Sequence, residues 1–177
     1  PGKLAIDTEG GRLFISDSNH HRIVVTDLDG RFIDTIGSGR IGLADGGYDE
    51  AQFFRLQGLA YHDGSLYVAD AENHALRVVD TKARRVTTLA GNGTQGRDYN
   101  GGRSGREQPI STPWDVFVES GQVFIAMAGT HQIWSYDLGK KIAKNYSGNG
   151  SEQNLNRADR LLAAWAQPSG LAVGNGE

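Results

Sequence analysis

The chain has 177 residues and a formal net charge of −3, so its composition gives no general attraction to nucleic acid or to an anionic membrane. It contains no cysteine, which excludes disulfides, thiolate metal sites and a cysteine nucleophile. Twenty-five glycines against four prolines are typical of short strands joined by many tight turns.

The N-terminal part of the chain predicts four short β-strands. Runs rich in Val, Ile, Leu and Phe lie near residues 3–7, 13–17, 22–27 and 32–36, and turn residues separate them. Between the third and fourth runs, Asp29-Gly30 predicts a hairpin turn, because glycine readily adopts the positive φ that such turns need. We therefore expect an antiparallel sheet of four strands.

The same four runs return twice, at spacings of 53 to 57 residues. The string "LFISD" at Leu13 recurs as "LYVAD" at Leu66 and as "VFIAM" at Val123, and Asp63-Gly64 marks another hairpin turn. Such a recurrence indicates an internal repeat. The repeats are placed at residues 1–56, 57–112 and 113–167, and an incomplete fourth at 168–177 begins with the predicted strand "GLAV", Gly170–Val173.

The glycine motif "AGNGTQG", which starts at Ala90, has the form of a dinucleotide-binding G-x-G-x-x-G loop. That loop must open a helix within a βαβ unit, but the residues that follow, "RDYNGGRSGREQPIS", carry no apolar stripe of helical period. A matching motif starts at Gly37, and a partial one starts at Gly148. We interpret these glycines as turns that lead from one repeat to the next.

A four-stranded antiparallel sheet buries both of its faces only when neighbouring sheets stack on it, as the blades of a β-propeller do. The expected fold is therefore all-β, a β-propeller with three complete four-stranded blades and the start of a fourth. One short helix is expected near Arg157–Ala164, in the connection that leaves the third blade. Propellers close with typically four to eight blades, so we expect either that further repeats follow or that two copies associate to complete the ring.

A family resemblance is carried by long strings. The segments "LFISDSNHHRIVVTDLDG" and "LYVADAENHALRVVD" resemble NHL repeats, and "IAMAGTHQIW" and "QPSGLAV" are similar to the propeller of the NHL-repeat-containing protein 2 and suppressor-of-quenching family. The resemblance implies a six-bladed ring that follows a thioredoxin-like domain, with a non-catalytic role in protein interaction. For plant members it implies regulation of photoprotective quenching in the thylakoid lumen, and for animal members a cytosolic protein.

Three histidines occupy equivalent places in the repeats, and three histidines around one axis are able to bind zinc. The repeat positions considered are Asp17, His21, Asp70, His74 and His131. In the third repeat Met127 replaces the carboxylate that precedes the histidine by four residues, which breaks a His/Asp constellation. We favour a structural role in the turn after the second strand, and expect no metal and no cofactor.

The candidate interaction surface combines charged and aromatic residues: Arg97, Asp98, Tyr99, Arg103, Trp114, His131 and Trp134. Because Asp98 and Glu107 dilute the basic residues, we expect a protein partner rather than nucleic acid. Trp114 and Trp134 are either interface anchors or core residues, and their apolar neighbours favour the core. Neither G-x-S-x-G nor H-E-x-x-H occurs, so no catalytic residues are assigned. Two alternatives stay open, a propeller enzyme with a central histidine or metal site and an RNA- or phosphate-binding propeller.

Overall fold

The computed structural model describes residues 1–153 and 155–172, and its strands form three antiparallel sheets. In chain order the strands are β1 (Leu4–Asp7), β2 (Arg12–Asp17), β3 (Arg22–Asp27), β4 (Phe32–Ile36), β5 (Gly46–Gly47), β6 (Leu59–His62), β7 (Ser65–Asp70), β8 (Ala75–Asp80), β9 (Arg85–Ala90), β10 (Gly101–Ser104), β11 (Pro113–Glu119), β12 (Gln122–Met127), β13 (Gln132–Asp137) and β14 (Ile142–Ser147). The strand orders are β1-β2-β3-β4 in sheet 1, β5-β9-β8-β7-β6 in sheet 2 and β10-β14-β13-β12-β11 in sheet 3. The prediction of an all-β chain is confirmed.

The prediction of four strands in every sheet is wrong for sheets 2 and 3, which have five. Before each of these sheets, the connection from the preceding sheet runs to the outer edge, pairs there as β5 or β10, and returns to the innermost strand. The pairing satisfies backbone groups that an open edge would leave bare. Both added strands are glycine-rich, and glycine is depleted in strands, so the strand signal is missing from the sequence.

The hairpin turns lie where the sequence predicts them. Gly30 has a φ of 84°, and Asp63 and Gly64 have φ values of 46° and 76°, the left-handed pair that a two-residue hairpin loop requires. Gly91 serves a different purpose. Its φ is 95°, and a Cβ atom at this position would overlap the carbonyl oxygen of His74. The glycine motif is therefore a turn held tightly against its own sheet, as interpreted from its recurrence.

Apolar side chains fill the spaces between successive sheets. The cluster between sheets 1 and 2 contains Phe14, Leu59 and Leu66, together with Phe53 from the connection, and all four are almost inaccessible. A second cluster between sheets 2 and 3 surrounds Trp134. The innermost strands are also neighbours, since β6 contacts both β1 and β11. The sheets therefore follow one another around a common axis, in a propeller-like arrangement.

The expected helix near Arg157–Ala164 does not form; this segment consists of turns and isolated bridges. The carbonyl groups of Arg160 and Ala163 accept hydrogen bonds from the backbone N–H groups of Gly148 and Asn149, at 2.9 and 2.8 Å. Because these carbonyls bond to the outgoing chain, they are not available for a helical ladder.

The predicted strand Gly170–Val173 lies partly outside the described residues, and Gly170, Leu171 and Ala172 take part in no strand. In the part of the chain that the structure describes, 3₁₀ turns are the only helical segments, and no helix is long and apolar enough to cross a bilayer.

Candidate functional site

His21, His74 and His131 take the same backbone position in the three sheets. Each follows a 3₁₀ turn after the second strand, has a left-handed φ of 55°, 47° or 54°, and donates its N–H to the carbonyl three residues earlier. A left-handed residue other than glycine is uncommon, and histidine is among the types that tolerate it better. The three residues are therefore equivalent elements of a turn.

Each of these imidazoles also holds the connection to the next sheet. Nδ1 of the histidine accepts a backbone N–H, from Arg55 to His21 at 3.2 Å, from Thr112 to His74 at 3.0 Å and from Gln167 to His131 at 3.2 Å. The three donor residues are left-handed as well, with φ values of 47°, 47° and 44°. Their side chains have nothing in common, so the sequence gave no signal for them.

The geometry of the histidines is that of three separate turn contacts. As acceptors their Nδ1 atoms must be unprotonated, and burial lowers the pKa of the His74 imidazole. Among residues 1–153 and 155–172, no group of three or more His, Asp or Glu side chains is placed to hold a metal ion.

The carboxylate before each histidine has a different environment in each repeat. Asp17 is partly exposed and pairs with Arg22 and His20, at 2.9 and 2.7 Å. Asp70 is inaccessible and accepts the backbone N–H of Phe54 at 2.8 Å. In the third sheet the sulfur of Met127 accepts the equivalent N–H, that of Ser111, at 3.3 Å.

Sequence reasoning missed the buried cation Arg77, which stands where the neighbouring sheets have Val24 and Trp134. Its guanidinium donates to the carboxylates of Asp70 at 2.8 Å and Asp45 at 3.0 Å, and to the carbonyls of Ala44 and Gln52, each at 2.9 Å. Burial raises the pKa of the Asp70 carboxyl to about 6. The cluster fastens the first connection to sheet 2.

The residues predicted to form an interaction surface are not brought together. Arg97, Asp98, Tyr99 and Arg103 lie in or beside β10, at the outer edge of sheet 3. There the Asp98 carboxylate accepts the N–H groups of Gly101 and Asn100, both at 3.0 Å, and these bonds lower its pKa. His131 holds the next connection, as described above.

The two tryptophans have opposite environments. Trp134 is inaccessible, and its indole N–H donates to the Gln132 side chain at 2.9 Å, so this tryptophan belongs to the core. Trp114 is 37% exposed and lies at the start of the innermost strand of sheet 3. Of the predicted residues, only Trp114 lines a cavity on the axis of the sheets.

That axial cavity has a volume of about 330 Å³, and two equivalent positions of each repeat line it. The first position is Gly2, Gln57, Trp114 and Ser169; the second is Lys3, Gly58 and Asp115. An adjoining cavity of about 600 Å³ shares Trp114 and Ser169, and its other lining residues are Gln95, Thr112, Ala128, Gly129 and Gln167. The indole of Trp114 therefore contributes to both cavities.

An ion pair spans the axial cavity. The ammonium of Lys3 in the first repeat lies 2.6 and 2.7 Å from the two carboxylate oxygens of Asp115 in the third. Gly58 of the second repeat lies between them, and a Cβ atom there would come within 2.5 Å of the Asp115 Cα. Glycine is thus required for the close approach. Side-chain amides, hydroxyls, one indole and a neutralised ion pair form a lining suited to binding polar groups against a flat apolar face.

The NHL repeat profile matches residues 1–25. The chain is also 56% identical over 179 residues to Protein SUPPRESSOR OF QUENCHING 1, chloroplastic, of Arabidopsis thaliana, and 43% identical over 192 residues to NHL repeat-containing protein 2 of Homo sapiens. This chain belongs to the NHL-repeat family. The alignments cover 98% of the chain but only 17% and 26% of these relatives, so the chain corresponds to a quarter or less of each.

Solved structures support the fold of the NHL-repeat chain. A Bacteroides thetaiotaomicron protein of unknown function aligns with a TM-score of 0.62 at 23% identity, over 80% of this chain and 34% of its own. An auxiliary nutrient binding protein of Bacteroides ovatus aligns with a TM-score of 0.60 at 19% identity, over 80% and 36%. At such identities the likeness is one of fold alone.

The resemblance that the strings around His21 and His74 predicted is confirmed by the profile and by both relatives. The printed names of these relatives describe a repeat and a suppressor of quenching, and neither denotes an enzyme.

Proposed function

We propose that this NHL-repeat chain is a non-catalytic protein-interaction module and that its partner binds at the axial cavity. In this proposal the chain is an arc of a six-bladed propeller within a redox-linked, thioredoxin-like multidomain protein, with repeats at 1–56, 57–112 and 113–167. For a plant protein, the partner would belong to the regulation of photoprotective quenching. The observation that carries the proposal is the contrast between constant and variable positions of the repeats.

Positions that hold the frame are alike from repeat to repeat. A histidine follows every 3₁₀ turn, and Asp27, Asp80 and Asp137 end the third strand in every sheet. All three carboxylates accept backbone N–H groups of the turn that follows them. Repeats that perform one structural task in this way retain one residue type.

The axial positions differ in chemistry instead. Glycine, glutamine and tryptophan occupy the first lining position, and lysine, glycine and aspartate occupy the second. Equivalent backbone positions therefore present unlike side chains to one shared cavity. Such a lining supports asymmetric recognition of a partner, with Trp114 as the anchor, since exposed tryptophans are enriched among residues that dominate binding energy.

The test compares two exposed aromatic residues. Immobilised wild-type chain, Trp114→Ala and the control Tyr99→Ala are exposed to chloroplast extract after chemical crosslinking, and bound proteins are quantified by mass spectrometry. Trp114 is 37% exposed and Tyr99 46% exposed, so both variants are expected to fold. We expect proteins that wild type and Tyr99→Ala retain and that Trp114→Ala loses by about tenfold or more.

Two results would count against the axial site. Equal retention by all three chains would remove Trp114 from the interface. Selective loss with Tyr99→Ala would move the interface to the outer edge of sheet 3. Circular dichroism and thermal melts of each variant verify that the fold is intact.

A further inference from the structure

We infer that two copies of this chain associate around a shared twofold axis, with sheet 1 of each copy packed on sheet 3 and the third connection (residues 148–170) of the other. The geometry leaves one face of sheet 1 and the opposite face of sheet 3 without neighbours. Each of these faces has an equivalent elsewhere in the chain that is fully covered. This inference concerns the ends of the arc and does not rest on the axial cavity.

The uncovered face of sheet 1 carries apolar residues that are buried in the other sheets. Leu4 is 53% exposed, while Leu59 and Val116, which pair at the same place in their ladders, are 1% and 0% exposed. In sheet 2 the preceding sheet and its connection provide the cover.

The outer strand of sheet 1 shows the same contrast. Phe32 pairs with Thr26 and is 69% exposed. Val86 and Ala143 take the corresponding place in sheets 2 and 3, and both are 0% exposed. The face of sheet 1 therefore has the chemistry of a surface that receives a preceding sheet and connection.

The third connection has the structure of the first connection (residues 37–58). The hydrogen bonds from Gly37 N to Tyr48 O, Ser38 N to Ala51 O and Gln52 N to Ala44 O recur as Gly148 N to Arg160 O, Asn149 N to Ala163 O and Ala164 N to Leu155 O. The bridge between Ile41 and Phe53 likewise recurs between Glu152 and Trp165. The two connections are thus equivalent in backbone.

Their apolar anchors differ only in cover. Phe53 of the first connection is 0% exposed between sheets 1 and 2, while Trp165 of the third is 39% exposed. Its ring already packs over Gly148, and its indole N–H lies 3.2 Å from the Ser147 hydroxyl. Trp165 is therefore held in place with an open apolar side, as an anchor for a following sheet.

The chain itself carries both halves of the missing contact. A second copy supplies a sheet 1 face to Trp165, and its own Trp165 covers the first copy in return. Two arcs of three sheets then make six sheets, a closed number for a propeller, and a twofold axis leaves no open end. Monomers seldom expose contiguous apolar faces of this kind.

The test is the solution mass of the 177-residue chain by light scattering and sedimentation equilibrium over about 1 to 100 μM. We expect a reversible dimer of about 38 kDa, twice the 19.1 kDa of one chain. Phe32→Asp should raise the dissociation constant about 30-fold or more, because it places a charge in the contact.

Leu4→Asp provides a second, independent lesion on the same face. The matched control is Ile41→Asp, since Ile41 is 58% exposed and its equivalent in the third connection is already acidic Glu152. This control should dimerise as wild type does, and circular dichroism should show all three variants folded.

A monomer of about 19 kDa throughout the range would overturn the inference and assign the face of sheet 1 to further repeats of a longer chain. Open-ended oligomers, or a dimer that tolerates both Phe32→Asp and Leu4→Asp, would overturn it as well. None of these results changes the outcome expected for Trp114→Ala, so the two proposals fail separately.

Discussion

Replacing Asp70 by alanine should destabilise the chain more than any exposed charge replacement in it. Asp70 and Arg77 are both inaccessible, and Oδ2 of Asp70 lies 2.8 Å from the guanidinium. The carboxylate also accepts the N–H of Phe54 and the side chain of Asn73, each at 2.8 Å. Asp70→Ala removes these acceptors and leaves Arg77 with Asp45 as its one carboxylate partner.

The magnitude follows from the cost of breaking a buried pair on one side, about 3–5 kcal/mol. Removal of the matched carboxylate Asp17, whose side chain is 24% exposed, should cost less than about 1 kcal/mol, since exposed ion pairs contribute little. Urea denaturation of wild type, Asp70→Ala and Asp17→Ala at pH 7.5, followed by tryptophan fluorescence and circular dichroism, measures both losses. Equal losses in the two variants, or a loss below about 1 kcal/mol for Asp70→Ala, would refute the reasoning.

The pH dependence of the same pair has a defined sign. Burial raises the pKa of Asp70 to about 6 from 3.8, so between these values the folded chain binds more protons at this group than the unfolded chain. Its contribution to the free energy of unfolding therefore falls as the pH rises through this window, and is constant above it. The Asp70→Ala variant should lose this slope when compared with wild type between pH 4 and 7 by urea denaturation, in buffers of constant ionic strength.

Two further predictions concern His74 and the turn it faces. Because burial lowers the pKa of His74 from 6.5, the unfolded chain binds the proton more tightly, and the free energy of unfolding should fall as the pH drops below about 6.5; His74→Ala should flatten this slope in urea melts. Gly91→Ala should cost about 2 kcal/mol or more by the same assay, because its Cβ would overlap the His74 carbonyl. Gly64→Ala, at a φ of 76° with open space around it, should cost only about 1 kcal/mol, and equal losses would contradict the overlap.

The sheets could be predicted from the sequence because their signal is local. Runs such as "LYVAD" alternate and recur, and both proposed hairpin turns carry the glycine that the geometry needs. The added edge strands were missed since Gly46–Gly47 gains its structure from the bare edge of β9 and not from its own propensity. Arg77 was missed for a related reason, because a buried arginine looks like an exposed one until its partners 25 to 33 residues away are known.

The three repeats show how one frame accommodates three different interiors. Where sheet 2 has the charged pair Asp70 and Arg77, sheet 3 has Met127 and Trp134. The N–H that Asp70 accepts is equivalent to the one that Met127 accepts, so the backbone contact is constant while the side chain that makes it is not. Since turns, histidines and backbone bonds maintain the register, side chains facing the axis are released from a structural task. This freedom is why we place recognition at the axial cavity, where the repeats share a position and differ in chemistry.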